Sequence, residues 1–521
     1  MKARKPILAL ALALALTLTA CGSAGTASSA AASASSAKSN TLVYGSNDYT
    51  RINPALDEHG EINALLFDGL TGHDKDNQVV PRLAESWELD KDTNTYTFHL
   101  RQDVTWHDGE KFTAEDVKFT IEAIQDPKNE SENASNYEDV EKITVVDDHT
   151  VKFQLSAPNY AFLDYMTMAI LPKHLLEGKD LQTDDYFRHP IGTGPYKLAS
   201  WEAGQAITLE RNESYFRGKA NIQTIIFRIV PDSNAKALQL KSGELNLSQV
   251  TPKDAKTFAD AKRQTVYEMK TSDYRGILYN FANDYWKKNA DLIPAFNYAI
   301  DRQAMIDAVL LGAGEVAYGP LQRNIYNCED VEHYDYDPNK AMKTLEAAGC
   351  TKGKDGFYYR DGQKVGFVLS VGSGDQVRLD MAQIAAQQLK AVGVDVTVDV
   401  PAQVDWGGQE AYLIGWGSPF DADDHTYKVF GTGKGSNYSS YSDKLVDQYL
   451  TEARQTEDTQ KRKEAYAKFQ KELAKHPAYT FFCYIDAFYV ADNHLKGITP
   501  ETVLGHHGVG IFWNVLDWTL E

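Results

Sequence analysis

The sequence predicts an α/β protein of two or three lobes built on mixed sheets, and three observations carry that expectation. Segments that alternate like strands interleave with segments of helical period along the chain. The chain has 521 residues, and the roughly 480 that follow a low-complexity stretch divide into two or three units of ordinary domain size. No internal repeat points to a solenoid instead.

The first segment is a leader. Lys2, Arg4 and Lys5 precede an apolar run from Ile7 to Leu18, followed by Thr19-Ala20-Cys21. A basic start, a short apolar stretch and small residues before a cysteine read as a secretory signal over residues 1–20. The run is shorter than the roughly 20 residues of a spanning helix, and no later segment reaches that length. Residues 21–40 are almost all Ser, Ala, Gly and Thr after Cys21, a flexible linker with nothing to bury.

Strands are expected at Thr95–Leu100, Val151–Leu155 and Thr224–Val230, where apolar and polar residues alternate. Thr113-Ala114-Glu115-Asp116 opens a helix as a capping box, followed by Val117, Phe119, Ile121 and Ile124. Helical spacing recurs over Ile293–Leu311, Leu379–Val392 and Lys461–Leu473. The second of these leads through Gly393 into the strand Val394–Val398.

Composition excludes several classes. A formal net charge of −20 argues against nucleic acid, whose phosphates need clustered Lys and Arg. Past Cys21 only Cys328, Cys350 and Cys483 remain. Cys328 and Cys350 are the candidate disulfide pair, with Cys483 left as a buried thiol. No CxxC supports a zinc site. HExxH and GxSxG are absent, and Gly431–Gly435 lacks the spacing of a phosphate loop. No catalytic residue, resident cofactor or enzyme activity is expected.

Ordered blocks then carry a resemblance. They are Arg51-Ile52-Asn53-Pro54, Leu66-Phe67-Asp68-Gly69-Leu70, Pro81 through Trp87, Tyr96 through Arg101 and Val104 through Val117. Pro190 through Tyr196, Arg211 through Phe216 and Phe296 through Arg302 follow. From Thr41 to Glu521 the chain resembles the large extracellular solute-binding proteins of peptide and nickel ABC importers (family 5). The resemblance implies a two-lobed periplasmic-binding-protein fold of the cluster C type. Lobe I would hold residues 41–270 and 481–521, with an extra subdomain at about 74–189, and lobe II residues 271–480. Leu18 through Gly22 resembles the lipobox of bacterial lipoproteins, so Cys21 would carry lipid and hold a monomer at the extracytoplasmic face of the cell membrane. An ABC permease and its ATPase would be the partners.

Two ligand classes remain open. A peptide needs a carboxylate for its amino group and a cation for its carboxylate, while nickel needs neutral imidazoles, often completed by a small chelator. Gly415-Trp416-Gly417-Ser418-Pro419-Phe420-Asp421 looks closer to the nickel-binding relatives. Those place a histidine two residues after that Asp, where this chain has Asp423, with His425 two further on. His59 and the glycine-bounded pair His506-His507 resemble the histidines that nickel binders use around a metal chelate. Adjacent strand residues face opposite sides, so the flanking glycines matter for aiming both imidazoles at one ion. The metal candidates are therefore His59, His506 and His507. Trp416 would line the cleft, Arg275 would hold a carboxylate of chelator or peptide, and Asp421 and Asp423 would meet an amino group. The leading expectation is nickel carried as a histidine-type chelate, and a di- or oligopeptide is the alternative.

Overall fold

A computed structural model describes residues 40–56 and 60–521. The expected signal, the expected linker up to residue 39, Cys21 and His59 lie outside the described residues. Among the described residues no helix is long and apolar enough to cross a membrane.

Two long antiparallel strands organise the molecule, Gln264–Tyr279 and Tyr479–Asp492. Both are rich in Tyr, Phe, Val and Ile, the residues that suit a buried pleated surface. On one side of this pair the sheet continues through Ala411–Trp416 and Gly366–Ser370 to Asp395–Asp399. On the other it runs through Leu247–Val250, Thr41–Ser46, Thr224–Ile229 and Ala206–Arg211 to Tyr196–Glu202. Each half has its own apolar core. One gathers Leu42, Phe67, Trp106, Ile225 and Trp518; others gather Tyr279, Trp286, Phe296 and Leu413, and Tyr274, Phe430 and Phe469. This is the expected two-lobed α/β architecture, with the two long strands crossing between the lobes. A separate four-stranded sheet of Ala84–Asp90, Thr95–Leu100, Thr150–Leu155 and Val140–Asp147 packs with the first core.

Most expected elements fall where periodicity placed them, including the strands Thr95–Leu100, Thr150–Leu155 and Thr224–Ile229. Asp116 accepts the backbone N–H of Thr113 at 2.9 Å, completing the capping box. The helix expected over Ile293–Leu311 is instead two, Ile293–Ala299 and Arg302–Val309. Asp301 caps the second by accepting the N–H of Ala304 at 3.0 Å. The buried Arg302 guanidinium then donates to the carbonyls of Phe481 and Tyr334, both at 2.7 Å. The disulfide expectation is corrected, because Cys328, Cys350 and Cys483 are all free thiols. Cys350 packs into a lobe core, whereas the Cys328 N–H is held by Gln470 at 3.1 Å.

The reversal at Gly192-Thr193-Gly194-Pro195 is a close backbone approach. A Cβ on Gly194 would sit 2.5 Å from the Leu65 carbonyl oxygen, and one on Gly192 would overlap that of Leu66. His107 locks the turn: its Nδ1 accepts the Gly192 N–H at 3.1 Å, and its Nε2–H donates to the Gly194 carbonyl at 3.0 Å. That arrangement requires a neutral ring. Burial pushes the His107 pKa down from 6.5 to about 4, with the Gly194 carbonyl pulling the other way.

The lobes touch. Tyr165 donates to Asp423, Arg454 Nη1 meets Asp139 at 3.1 Å, and Lys434 meets Glu138 at 2.5 Å.

Because the folded pKa of His107 lies below the unfolded one, its neutral form stabilises the fold fully above pH 6.5. That contribution is lost as pH falls toward 4. In urea denaturation the parent should lose about 1.4 kcal/mol more per pH unit across this window than His107→Gln does, whatever slope the buried carboxyls of Glu61 and Asp68 add to both proteins in the opposite sense. His107→Gln should also lower stability at neutral pH. An unchanged slope in the variant would remove His107 from this role.

Candidate functional site

The site forms where the pairing of the two long strands breaks. Their register holds from Gln264↔Asp492 to Lys270↔Asp486 and resumes at Tyr274↔Tyr484, with a shift between Lys270 and Tyr274. Such an irregularity bends a strand and re-aims side chains. The freed backbone of Thr271–Asp273 is taken by the C-terminal loop: Ser272 N–H donates to the Leu504 carbonyl at 2.9 Å, and Leu504 N–H to that of Lys270 at 2.9 Å. Residues 505–510 are thereby docked onto the lobe crossing.

Asp273 is the hub of this junction and is fully buried, 0% exposed. One carboxylate oxygen faces His506 Nδ1 at 2.8 Å and pairs with the Arg275 guanidinium; the other accepts the His507 N–H at 2.9 Å. Burial alone would raise the Asp273 pKa. Arg275 and then His506 outweigh it and hold the carboxyl well below the ordinary range. The carboxylate fixes the His506 tautomer and ring orientation, as outer carboxylates do for metal-binding imidazoles.

The two imidazoles come together, their ring centroids 3.9 Å apart. A strand would not achieve this; His507 adopts φ 57°, followed by Gly508 at 72° and Gly510 at 121°. Asp273, His506 and His507 each offer a ligand atom, all within 4.8 Å of one another. His507 lies at the exposed rim of the junction; partial loss of hydration there and the neighbouring His506, with Arg275 and Arg378 beyond, lower its pKa from that of an ordinary imidazole, and Asp273 acts in the opposite sense. The neutral, metal-competent form is therefore favoured.

Gly415-Trp416-Gly417 acquires a physical reason here. A Cβ on Gly415 would overlap the Arg275 guanidinium, and one on Gly417 would overlap the Ser272 carbonyl. Both glycines let the strand Ala411–Trp416 approach the crossing and leave Trp416 presented between them. Its ring lies 6.1 Å from His506 and 6.1 Å from Tyr438, nearly parallel to both.

The other expected residues are already engaged. Asp421 makes a two-pronged ion pair with Arg462, at 2.6 and 2.8 Å. Asp423 is bound by Arg454, at 2.6 Å from Nη2, and by the Tyr165 hydroxyl. His425 is buried and directs Nε2 at the Pro320 carbonyl, 3.2 Å away. Arg275 is fully occupied at one edge by Asp273, while its buried Nε has no hydrogen-bond partner.

Three participants escaped the sequence reading. Asp273 stands two residues before Arg275, a spacing that puts both on one face of a strand, and this was the available signal. Arg378 has none: it lies on the helix Gln376–Ala391, paired with Asp375 at 3.2 Å. Burial, and then Arg275, lower its pKa, so two cations share this wall. Glu61 is buried under the loop, where burial pushes its carboxyl up to about 7. Beside the loop a cavity of about 440 Å³ is lined by Asn63, Asp68, Arg82, Phe420, Leu504 and His506.

A model of the bacterial extracellular solute-binding proteins, family 5 (middle region), matches residues 78–438. Protein XP55 of Streptomyces lividans is 32% identical over 476 residues, 89% of this chain and 87% of its own length. The solved structure of NikZ from Campylobacter jejuni in complex with Ni(L-His) superposes with a TM-score of 0.85 at 36% identity, covering 92% of this chain and 99% of that one. The oligopeptide-binding protein AppA of Bacillus subtilis, in complex with a nonapeptide, superposes with a TM-score of 0.83 at 28% identity, covering 92% and 99%.

Asp273→Asn should strand the buried Arg275 charge and cost about 3 kcal/mol in urea denaturation. Adding Arg275→Met should recover part of that loss. A single variant as stable as the parent would show that the pair does not hold the crossing.

Proposed function

Because the chain belongs to the bacterial extracellular solute-binding proteins of family 5, we propose that this solute-binding protein of an ABC importer captures nickel as a histidine-type chelate. One observation carries the reading: the paired imidazoles of His506 and His507 and the Asp273 carboxylate converge within 4.8 Å. NikZ, similar over nearly its whole length, is solved with Ni(L-His), which supports the same cargo class here.

The residues divide the work. His506 and His507 present neutral nitrogens to the ion, and His59, assigned from the sequence, adds a third. Asp273 orients His506 through Nδ1, the contact that fixes how its ring faces the ion. Trp416 supplies a flat wall parallel to His506. Arg378, with the buried Arg275 guanidinium behind it, makes this wall cationic, which suits the chelator's carboxylate. Lobe I (residues 41–270 and 481–521, with its subdomain at about 74–189) closes on lobe II (residues 271–480), hinged at the two long strands. The permease and its ATPase read that closure, and lipid on Cys21 keeps the protein at the membrane.

A second reading has its own observation. The cavity of about 440 Å³ beside His506 falls within the range for ligands larger than an amino acid chelate, and AppA holds a nonapeptide. Di- or oligopeptide capture is the alternative cargo.

Calorimetric titration of the chain freed of its anchor, with nickel, with nickel plus histidine, and with a mixed peptide pool, separates the two. Micromolar or tighter binding that requires nickel is expected. His506→Ala with His507→Ala should weaken it by a hundredfold or more, about 3 kcal/mol. Nickel-independent binding of peptides, unchanged in the double variant, would overturn the assignment in favour of peptide.

A further inference from the structure

The loop bearing His506 and His507 is held from two sides, and the second anchor lies outside the crossing. His507, Gly508 and Gly510 all take positive φ; the Gly508 and Val509 amides close the turn on the Gly505 and His506 carbonyls, and the Gly510 and Ile511 amides are left facing away from it. Their acceptor is a buried carboxyl of the protein itself. Glu61 Oε1 accepts the Gly510 N–H at 3.0 Å, the Ile511 N–H at 3.4 Å and the Tyr489 hydroxyl at 3.0 Å. The same Tyr489 hydroxyl lies 2.9 Å from the Gly508 carbonyl. Glu61 is 7% exposed and sits among Tyr44, Tyr49 and Tyr489.

Burying a carboxylate there is costly, and hydrogen bonds offset that cost only when the donors are fixed. The carboxyl's hydrogen bonds go to the end of the loop and to Tyr489 on the long strand Tyr479–Asp492. Asp273 fixes residues 506 and 507 from the strand crossing, and Glu61 fixes the Gly510 and Ile511 amides from the N-terminal segment, 449 positions from Gly510 in sequence. With both in place the left-handed turn at His507 is clamped between two buried acids. With only Asp273, the two imidazoles lose the second point that sets their mutual angle.

We propose that Glu61 is the positioning residue of the double-histidine loop, anchoring the Gly510 and Ile511 amides that end the turn so that His506 and His507 stay aimed together. It acts through the backbone and does not touch the cargo. The inference rests on the nickel reading for its functional meaning, but the loop geometry can be measured without metal.

The test compares Glu61→Ala, Glu61→Gln and Tyr489→Phe, each first checked for folding by circular dichroism. Gln keeps a carbonyl acceptor at the same reach, so it should preserve the loop. In metal-free protein, long-range proton–nitrogen NMR should show the His506 and His507 ring signals, assigned with single His→Asn variants, displaced in Glu61→Ala and unmoved in Glu61→Gln. Tyr489→Phe should give a smaller displacement. Nickel-plus-histidine affinity should fall by about tenfold or more in Glu61→Ala, the loss of one to two hydrogen bonds, and by under about threefold in Glu61→Gln. Unmoved imidazole signals in a folded Glu61→Ala would overturn the proposal. So would equal displacement in Ala and Gln, and if Ala does not fold, Gln and Tyr489→Phe decide by the same signals. Failure of the parent protein to bind nickel would instead count against the cargo assignment, leaving the metal-free arm to judge Glu61.

Discussion

A single buried carboxylate, that of Asp273, ties together the parts that meet at the strand crossing. It sits in the irregularity between the two long strands, neutralises Arg275, orients His506 and holds the His507 amide. A buried ion pair is poor evidence for stability, since an apolar pair of similar volume often packs as well. What the pair contributes here is position. An apolar residue at 273 would leave the C-terminal loop without an acceptor and the first imidazole without a preferred tautomer.

Close backbone approach is the second constraint, and it explains why glycines flank Trp416. The strand carrying Gly415 and Gly417 lies against the crossing so tightly that Arg275 and Ser272 occupy the space of the missing side chains. The same logic operates at a distance, where Gly192 and Gly194 let the chain pass over Leu65 and Leu66 and His107 locks the turn. Between these fixed points the acidic residues Asp421 and Asp423 serve the architecture. Arg462 and Arg454 neutralise them, and Arg454 also reaches Asp139 across the lobe contact.

Much of the fold was legible in the sequence because its strands and long helices have clean periods. The alternation at Thr95–Leu100 and the capping box at Thr113 became the elements they implied. The helix over Ile293–Leu311 was misjudged because apolar spacing cannot see a tertiary cap such as Asp301 or the carbonyls that draw Arg302 inward. The site was legible only in part. The glycine-bounded His506-His507 pair announced a loop able to bring two rings together, and the rings do lie side by side. Asp421 and Asp423 looked available because sequence shows a carboxylate but not the arginine, 41 or 31 residues on, that takes it. Arg378 and Glu61 reach the site only through tertiary folding, from a distant helix and from the N-terminal segment, so no local pattern marks them.

Nickel-edge X-ray absorption on the protein loaded with nickel and histidine tests the central claim most directly. Nitrogen and oxygen coordination is predicted, with more imidazole outer-shell scattering than the nickel–histidine chelate shows in buffer, because protein rings join the shell. A spectrum that matches the chelate in buffer, or one that is unchanged when His506 and His507 are both replaced by alanine, would contradict it.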